Sequence, residues 1–152
     1  MKRIIQCLTL CLLLTTIGFA GKAQFRKIPE DVTEAFRKKF PNATKVSWKD
    51  KLSSFQASFE MDDEEYIAYF ASSGDWQETD QKMEYEDLPD DVQDGFEKSK
   101  YTDWEKGDIY MIVKADDENL LSYRIAVKKN AIQKKYLFFA NDGTLLRDAI
   151  TL

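Results

Sequence analysis

Apolar residues recur at helical spacing in two segments of the chain, one near residue 30 and one near residue 90. Each segment begins with a proline, carries acidic residues in its first turn and has basic residues near its end, an order that suits the helix dipole. The two apolar stripes consist of Val32, Ala35, Phe36 and Phe40, and of Val92, Phe96 and Tyr101. The pattern therefore predicts two amphipathic helices.

Strand patterns follow each predicted helix. Residues 55–61 alternate Phe55, Ala57 and Phe59 with polar residues, which indicates a strand with one buried face. Residues 66–71 form an apolar return strand, and Trp76 opens the next strand after a turn. In the second half, strands are predicted at residues 109–115, 121–129, 132–140 and 144–150. Each half thus contains one helix and about four antiparallel strands, and residues 80–87 link the halves.

The two halves also share short sequences, which indicates an internal repeat. Residues 28–32 (IPEDV) recur as residues 88–92 (LPDDV), and residues 69–74 (YFASSG) recur as residues 138–143 (FFANDG). The sequence separation between a segment and its second copy is larger for the second match than for the first. About nine extra residues therefore lie near 104–114 in the second copy. Each copy, about 25–80 and 86–152, is too small to bury a core alone. We therefore expect one fused α+β domain rather than two separate domains.

The first 23 residues have the pattern of a cleaved export signal. A basic start precedes an apolar run that is short for a membrane-spanning helix, which needs about 20 residues. Gly21 and Ala23 fit the −3 and −1 positions of a cleavage site, and Gly18 and Ala20 offer a second register. We expect a mature domain of residues 24–152, no membrane span after cleavage, and a periplasmic or secreted location.

Composition excludes several classes of function. The chain has no His, and both cysteines (Cys7 and Cys11) lie within the predicted signal. The mature chain therefore has no catalytic triad with His, no zinc site of His or Cys, and no disulfide. Cleavage removes three cations and no acid, which changes the formal net charge from −5 to −8 and disfavours nucleic acid as a partner. The sequence also lacks a phosphate-binding loop and a nucleophile elbow, so we predict no enzymatic activity.

Several segments of the first half carry a specific resemblance: residues 28–29 (IP), 40–43 (FPNA), 46–48 (VSW), 66–70 (YIAYF) and 74–79 (GDWQET). Together with the export signal, they resemble the PepSY-like, beta-lactamase-inhibitor-like family of exported Bacteroidetes-type proteins. The second half departs from this pattern, since no Phe-Pro follows its helix and Leu145 stands where the first half has Trp76. The resemblance implies one antiparallel sheet built from the two repeats, with both helices packed on one face and the other face open and often concave. It also implies a binding or inhibitory role without catalytic residues.

Strand alternation indicates which residues line that open face. If the helices cover Ala68, Phe70, Leu137 and Phe139, the open face carries Ile67, Tyr69, Tyr136 and Phe138. Clustered exposed aromatic residues are typical of a protein interface, and Trp48, Trp76 and Trp104 are candidates to extend the cluster. The competing interpretation is that these aromatic side chains pack against each other or against a curled sheet edge.

Acidic residues are concentrated at predicted turns. The carboxylates of Asp62, Asp63, Asp116 and Asp117 are candidate ligands for Ca²⁺, which takes 6–8 oxygen ligands. None of these clusters has the spacing of the twelve-residue EF-hand loop, so solvated hairpin turns are the competing interpretation.

The sequence thus predicts a non-catalytic, exported protein that binds an envelope or secreted protein or peptide on its open sheet face, for example as an inhibitor. A Ca²⁺-responsive envelope protein and a structural envelope component are the alternatives. Self-association through exposed sheet edges is also open.

Overall fold

A computed structural model describes residues 27–116 and 120–151. The elements are α1 (Glu30–Lys39), β1 (Thr44–Asp50), β2 (Ser54–Met61), β3 (Glu64–Ala71), β4 (Trp76–Met83), a 3-10 turn (Tyr85–Asp87), α2 (Asp90–Glu97), β5 (Glu105–Lys114), β6 (Ser122–Lys128), β7 (Lys134–Ala140) and β8 (Leu145–Ile150). These eight strands form one antiparallel sheet whose spatial order is the chain order. The predicted α+β class and single sheet are confirmed, whereas the predicted signal at residues 1–23 lies outside the described residues.

Both helices pack on the same face of the sheet through the predicted apolar stripes. In α1, the ring of Phe36 lies 5.1 Å from that of Phe59 on β2 and 5.2 Å from that of Trp48 on β1, between ring centroids. In α2, Val92 and Phe96 are fully buried against the second half of the sheet. Burial of each large apolar side chain stabilises the fold by about 1.5–3 kcal/mol, so these aromatic contacts hold the helices in place without a disulfide.

The predicted linker at residues 80–87 is wrong in its first half, because β4 continues to Met83. Residues 78–83 pair with residues 109–114 of β5, so β4 and β5 join the two halves into a continuous sheet. Polar side chains dominate this part of β4, and pairing on both sides rather than apolar alternation makes it a strand. This pairing brings Asp80 into the middle of the sheet.

Each helix lies against a glycine turn at one end of the sheet. Gly74, in the β3–β4 turn, has φ +92°, and Gly143, in the β7–β8 turn, has φ +78°. A Cβ at Gly74 would lie 2.9 Å from the carbonyl oxygen of Asp31 in α1, and a Cβ at Gly143 would lie 1.9 Å from that of Asp91 in α2. The two turns therefore contact the helices backbone to backbone.

Candidate binding face of the sheet

The face of the sheet opposite to the helices, called the open face below, carries the four residues predicted for partner binding. Ala68, Phe70, Leu137 and Phe139 are fully buried under the helices. Their neighbours along the strands therefore point to the open face: Ile67, Tyr69, Tyr136 and Phe138. Tyr136 is exposed and the other three are half-buried. The role of these four residues in binding stays a prediction.

These four residues form two separate pairs rather than one cluster. Ile67 and Tyr69 lie on β3 and Tyr136 and Phe138 on β7, four strand spacings away, or about 19 Å along a flat sheet. Asp80, Tyr110 and Arg124, which the sequence did not single out, lie between the pairs. Together with Tyr69 and Tyr136 they form the group that we call the open-face cluster.

The cluster is organised by an ion pair between β4 and β6. Nη2 of Arg124 donates a hydrogen bond of 2.8 Å to Oδ2 of Asp80. Asp80 is fully buried, and 18% of the Arg124 side chain is exposed. Within the described part of the chain, Oδ1 of Asp80 and Nε of Arg124 are buried without a hydrogen-bond partner. The pair thus holds one end of the guanidinium in place and leaves hydrogen-bonding capacity unused.

Two tyrosine rings flank the same guanidinium. Its carbon lies 4.7 Å from the ring centroid of Tyr110 on β5 and 5.4 Å from that of Tyr136 on β7. Both distances are within the range of cation–π attraction. A similar contact follows on the next strand, where the guanidinium of Arg147 lies 3.5 Å from the ring centroid of Phe138. Arginine and aromatic side chains therefore alternate across β5–β8.

Some side chains at the centre of the open face are buried although both helices lie on the other side. Asp80 and Ile112 have 0% and 2% of their surface exposed, and they face each other between β4 and β5. Burial raises the pKa of Tyr69 to about 12, and the nearby Asp80 carboxylate adds to this rise. The surrounding tyrosines thus shield the centre of the face from water.

Stability is expected to rise as the pH falls from about 8 to about 5. Burial raises the pKa of Asp80 from 3.8 to about 7; Glu78 adds to this effect and Arg124 opposes it. The folded chain therefore binds a proton in this interval that the unfolded chain does not bind. The stabilisation by this proton is fully present below the pKa that Asp80 has in the unfolded chain. It is lost as the pH rises through the pKa that Asp80 has in the folded chain.

Thermal melts at several pH values measure this effect, with a slope of at most about 1.4 kcal/mol per pH unit from this group. Hydrogen bonds from Thr144 and from Lys135 lower the pKa values of Asp142 and Asp148, respectively. Their contribution to stability is therefore lost only at a pH below the ordinary pKa range of Asp, outside the interval in which Asp80 acts. The Asp80→Asn variant is expected to flatten the dependence between pH 5 and pH 8, and an unchanged slope in that variant would contradict the assignment to Asp80.

The three tryptophans do not extend the open face, in contrast to the interpretation considered from the sequence. Trp48 and Trp76 pack against the core under α1, and Trp104 packs against the core under α2. Nε1 of Trp76 donates a hydrogen bond of 2.8 Å to Oγ1 of Thr79, and Nζ of Lys39 lies 3.5 Å from its ring centroid. Strand register, including the bulge next to Trp76, turns this side chain to the helix side.

The candidate calcium ligands are divided between opposite ends of the sheet. Asp62 and Asp63 form the β2–β3 turn, with φ of 53° and 66°, whereas Asp116 follows β5 at the end where β3 turns into β4. Asp117 lies outside the described residues. Within residues 27–116 and 120–151, no group of three or more acidic side chains is close enough to hold a metal ion. Calcium binding stays a prediction.

Asp80, Tyr110 and Arg124 are the residues of the cluster that sequence reasoning missed. Asp80 belongs to the predicted linker, and Tyr110 lies among the extra residues near 104–114 that have no counterpart in the first copy. The available signal is Arg124, a cation between Tyr123 and Ile125 in the middle of β6. A cation that is mostly buried in a sheet is costly without a counter-charge on a neighbouring strand, and this cost points to a carboxylate.

The model of the beta-lactamase-inhibitor-like, PepSY-like family matches residues 53–147, which is more than half of the chain. Among curated proteins, none matches the sequence significantly. None of the helices in the described ranges is both long and apolar enough to cross a membrane.

Solved structures of Bacteroides proteins share the fold. A BLIP-like protein from Bacteroides fragilis NCTC 9343 is 23% identical, with a TM-score of 0.74 over 84% of this chain and 89% of that chain. A DUF2874 family protein from Bacteroides ovatus ATCC 8483 is 24% identical, with a TM-score of 0.74 over 82% and 88% of the two chains. A proposed periplasmic protein from Bacteroides eggerthii DSM 20697 is 21% identical, with a TM-score of 0.74 over 82% and 89%. At these identities the similarity shows the fold alone.

Proposed function

Because the chain belongs to the beta-lactamase-inhibitor-like, PepSY-like family, we propose that it is a non-catalytic binding protein of the bacterial envelope or exterior. It captures a protein or peptide on the open face of its sheet, and inhibition of an envelope or secreted enzyme is one form of this role. The predicted export signal and the similarity to the Bacteroides eggerthii protein, which is proposed to be periplasmic, support a location outside the cytoplasm.

The observation that carries the proposal is the position of Arg124. Its guanidinium is held by the buried Asp80 and flanked by Tyr110 and Tyr136, at the centre of a sheet face that neither described helix covers. Arginine and tyrosine are enriched among residues that dominate binding energy at interfaces. Since the ion pair and both rings already restrict the arginine, a partner that contacts it pays little additional conformational entropy.

The state of Asp80 supports a non-catalytic role. It is the open-face carboxylate with a strongly raised pKa, which is a common property of catalytic acids. However, its side chain is fully buried and bound to Arg124, so that it does not reach the surface where a substrate would lie. The carboxylate therefore positions the arginine rather than transferring a proton.

We also propose that the fold arose from two tandem repeats. The glycine–helix contacts are equivalent, since Gly74 meets Asp31 and Gly143 meets Asp91. Irregularities of strand register support the same relation: one lies between Tyr69 and Phe70, and the other lies at the corresponding place on β7. Equivalent contacts in both halves are the result expected of a duplication.

Loss of two tyrosines is expected to abolish capture of the partner. The exported protein, tagged at its C-terminus, is incubated with envelope and secreted fractions of its native host, and bound proteins are quantified. Tyr110→Ala with Tyr136→Ala should reduce capture at least tenfold, because each ring contributes both contact area and the stacking that positions Arg124.

The matched control is Leu52→Ala with Leu120→Ala, which removes exposed apolar area at turns away from the open-face cluster. Capture by this control should stay within twofold of the original protein, and thermal melts verify that both double variants are folded. Equal capture by the two double variants, or no stoichiometric partner from either fraction, would refute the binding function.

A further inference from the structure

The open face is divided by charge into two halves. On β2–β4, its charged residues are Glu60, Glu65, Glu78, Asp80 and Lys82. On β6–β8, its charged residues are Arg124, Lys128, Lys134 and Arg147, with no carboxylate among the described open-face positions. We call this second surface the basic half. It contrasts with the acidic composition of the chain, in which 27 acids outnumber 22 cations.

The acids of the first half are largely neutralised by the chain itself. Nζ of Lys45 lies 2.6 Å from Glu60, and Nζ of Lys82 lies 3.0 Å from Glu65. Asp80 is paired with Arg124 at 2.8 Å. Three of the four open-face carboxylates on β2–β4 are therefore paired, and Glu78 is the one without an ion pair among the described residues.

The cations of the basic half are only partly neutralised. Lys128 is paired with Glu105 at 2.7 Å. Lys134 and Arg147 are exposed and have no ion pair within the described ranges of the chain, and the guanidinium of Arg147 instead stacks on Phe138. Lys49 on β1 and Lys114 on β5 are further exposed cations of the open face. Within the basic half, the positive charge without an ion pair lies on β7 and β8.

A groove of about 510 Å³ lies at the end of the basic half. Its wall includes Lys128, Lys134, Tyr136 and Thr151, and the hydroxyl of Thr151 is buried without a hydrogen-bond partner in the described structure. Glu105 and Asp108 also line the groove. Glu105 is bound to Lys128, whereas Asp108 has no ion pair among the described residues. The groove thus places the ammonium group of Lys134 beside the ring of Tyr136.

We infer that the basic half binds an acidic segment of a protein partner. Carboxylates of the segment pair with Lys134 and Arg147, while its apolar atoms contact Tyr136 and Phe138. The inference rests on the proposed binding function and specifies the chemistry of the partner. A second copy of this chain fits less well, because most acids of its own open face are already paired.

Binding of two labelled peptides tests this chemistry. The probes are twelve-residue peptides of alternating Glu and Tyr or alternating Gln and Tyr, measured by fluorescence anisotropy with the full protein at low and at high salt. The Glu peptide should bind at least tenfold more tightly than the Gln peptide at low salt, and the difference should shrink at high salt, because exposed ion pairs are screened.

Charge reversal locates the site on the surface. Lys134→Glu with Arg147→Glu should weaken binding of the Glu peptide at least tenfold. The control is Lys38→Glu with Lys51→Glu, which makes the same change in net charge at exposed positions outside the open face and should change binding less than twofold. Equal effects of the two double variants, equal binding of the two peptides, or no binding of the Glu peptide would overturn the inference.

The same variants separate this inference from the proposed function. If an envelope partner is captured through Tyr110 and Tyr136 but capture is unaffected by Lys134→Glu with Arg147→Glu, the binding function stands and the acidic-segment inference fails. If neither pair of substitutions affects capture, both fail. Sedimentation of the protein alone shows whether a second copy occupies the face, and a salt-sensitive dimer lost in the charge-reversed variant would also overturn the inference.

Discussion

Replacement of Gly143 by alanine is expected to lower the free energy of unfolding by about 3 kcal/mol. At φ +78°, a residue with a Cβ is strained, and the added carbon would lie 1.9 Å from the carbonyl oxygen of Asp91. Either the β7–β8 turn or α2 must move, and Phe96 and Leu137 are then packed less closely. Urea unfolding followed by circular dichroism measures the loss.

Substitutions at two further glycines test whether close contact between the β7–β8 turn and α2 is the cause of this loss. Gly95→Ala is expected to destabilise the fold although alanine favours helices by about 1 kcal/mol, because its Cβ would lie 2.1 Å from the carbonyl oxygen of Gly143. At Gly107, the nearest atom to an added Cβ is the Cβ of Ala126 at 3.4 Å, so Gly107→Ala should be close to neutral. Equal stability of the Gly143 and Gly107 variants would show that α2 does not depend on this contact.

Replacement of Arg124 by alanine is expected to cost about 4 kcal/mol at pH 8, because it leaves the buried Asp80 carboxylate without its counter-charge. The cost should be smaller at pH 5, where the isolated carboxyl group is protonated and carries no charge to be buried. Chemical unfolding of the variant at both pH values measures the difference.

The comparison variants distinguish a lost charge pair from lost packing. Asp80→Leu combined with Arg124→Met removes both charges and should be more stable than Arg124→Ala alone. Lys82→Ala removes the exposed ion pair with Glu65 and should cost no more than about 1 kcal/mol. A loss for Arg124→Ala that is independent of pH would indicate that the side chain acts by its volume rather than its charge.

The helices and most strands could be predicted because their signals are local. Phe36 and Phe96 lie on apolar stripes at helical spacing, and Phe55, Ala57 and Phe59 alternate with polar residues, so each element is determined within a few residues of sequence. The open-face positions of Tyr69 and Tyr136 followed from the same alternation once their neighbours were assigned to the core.

The centre of the open face could not be predicted in the same way, because it depends on contacts between distant segments. Asp80 belongs to a strand only through its pairing with β3 and β5, and its ion pair with Arg124 joins residues 44 positions apart. The helix-side orientation of Trp76 depends on the irregular register next to it. These features follow from strand register, which single-sequence periodicity does not determine.

In this sheet, every strand lies beside the strands that precede and follow it in the chain. No strand is inserted between two earlier ones, so each new strand finds its complete pairing edge already present. Such neighbour-to-neighbour topology keeps loop-closure entropy low and shortens the search for native pairing relative to Greek-key sheets. A chain that emerges with its N-terminus first can therefore add its strands one after another, and the outer edge of the newest strand is the template for the next.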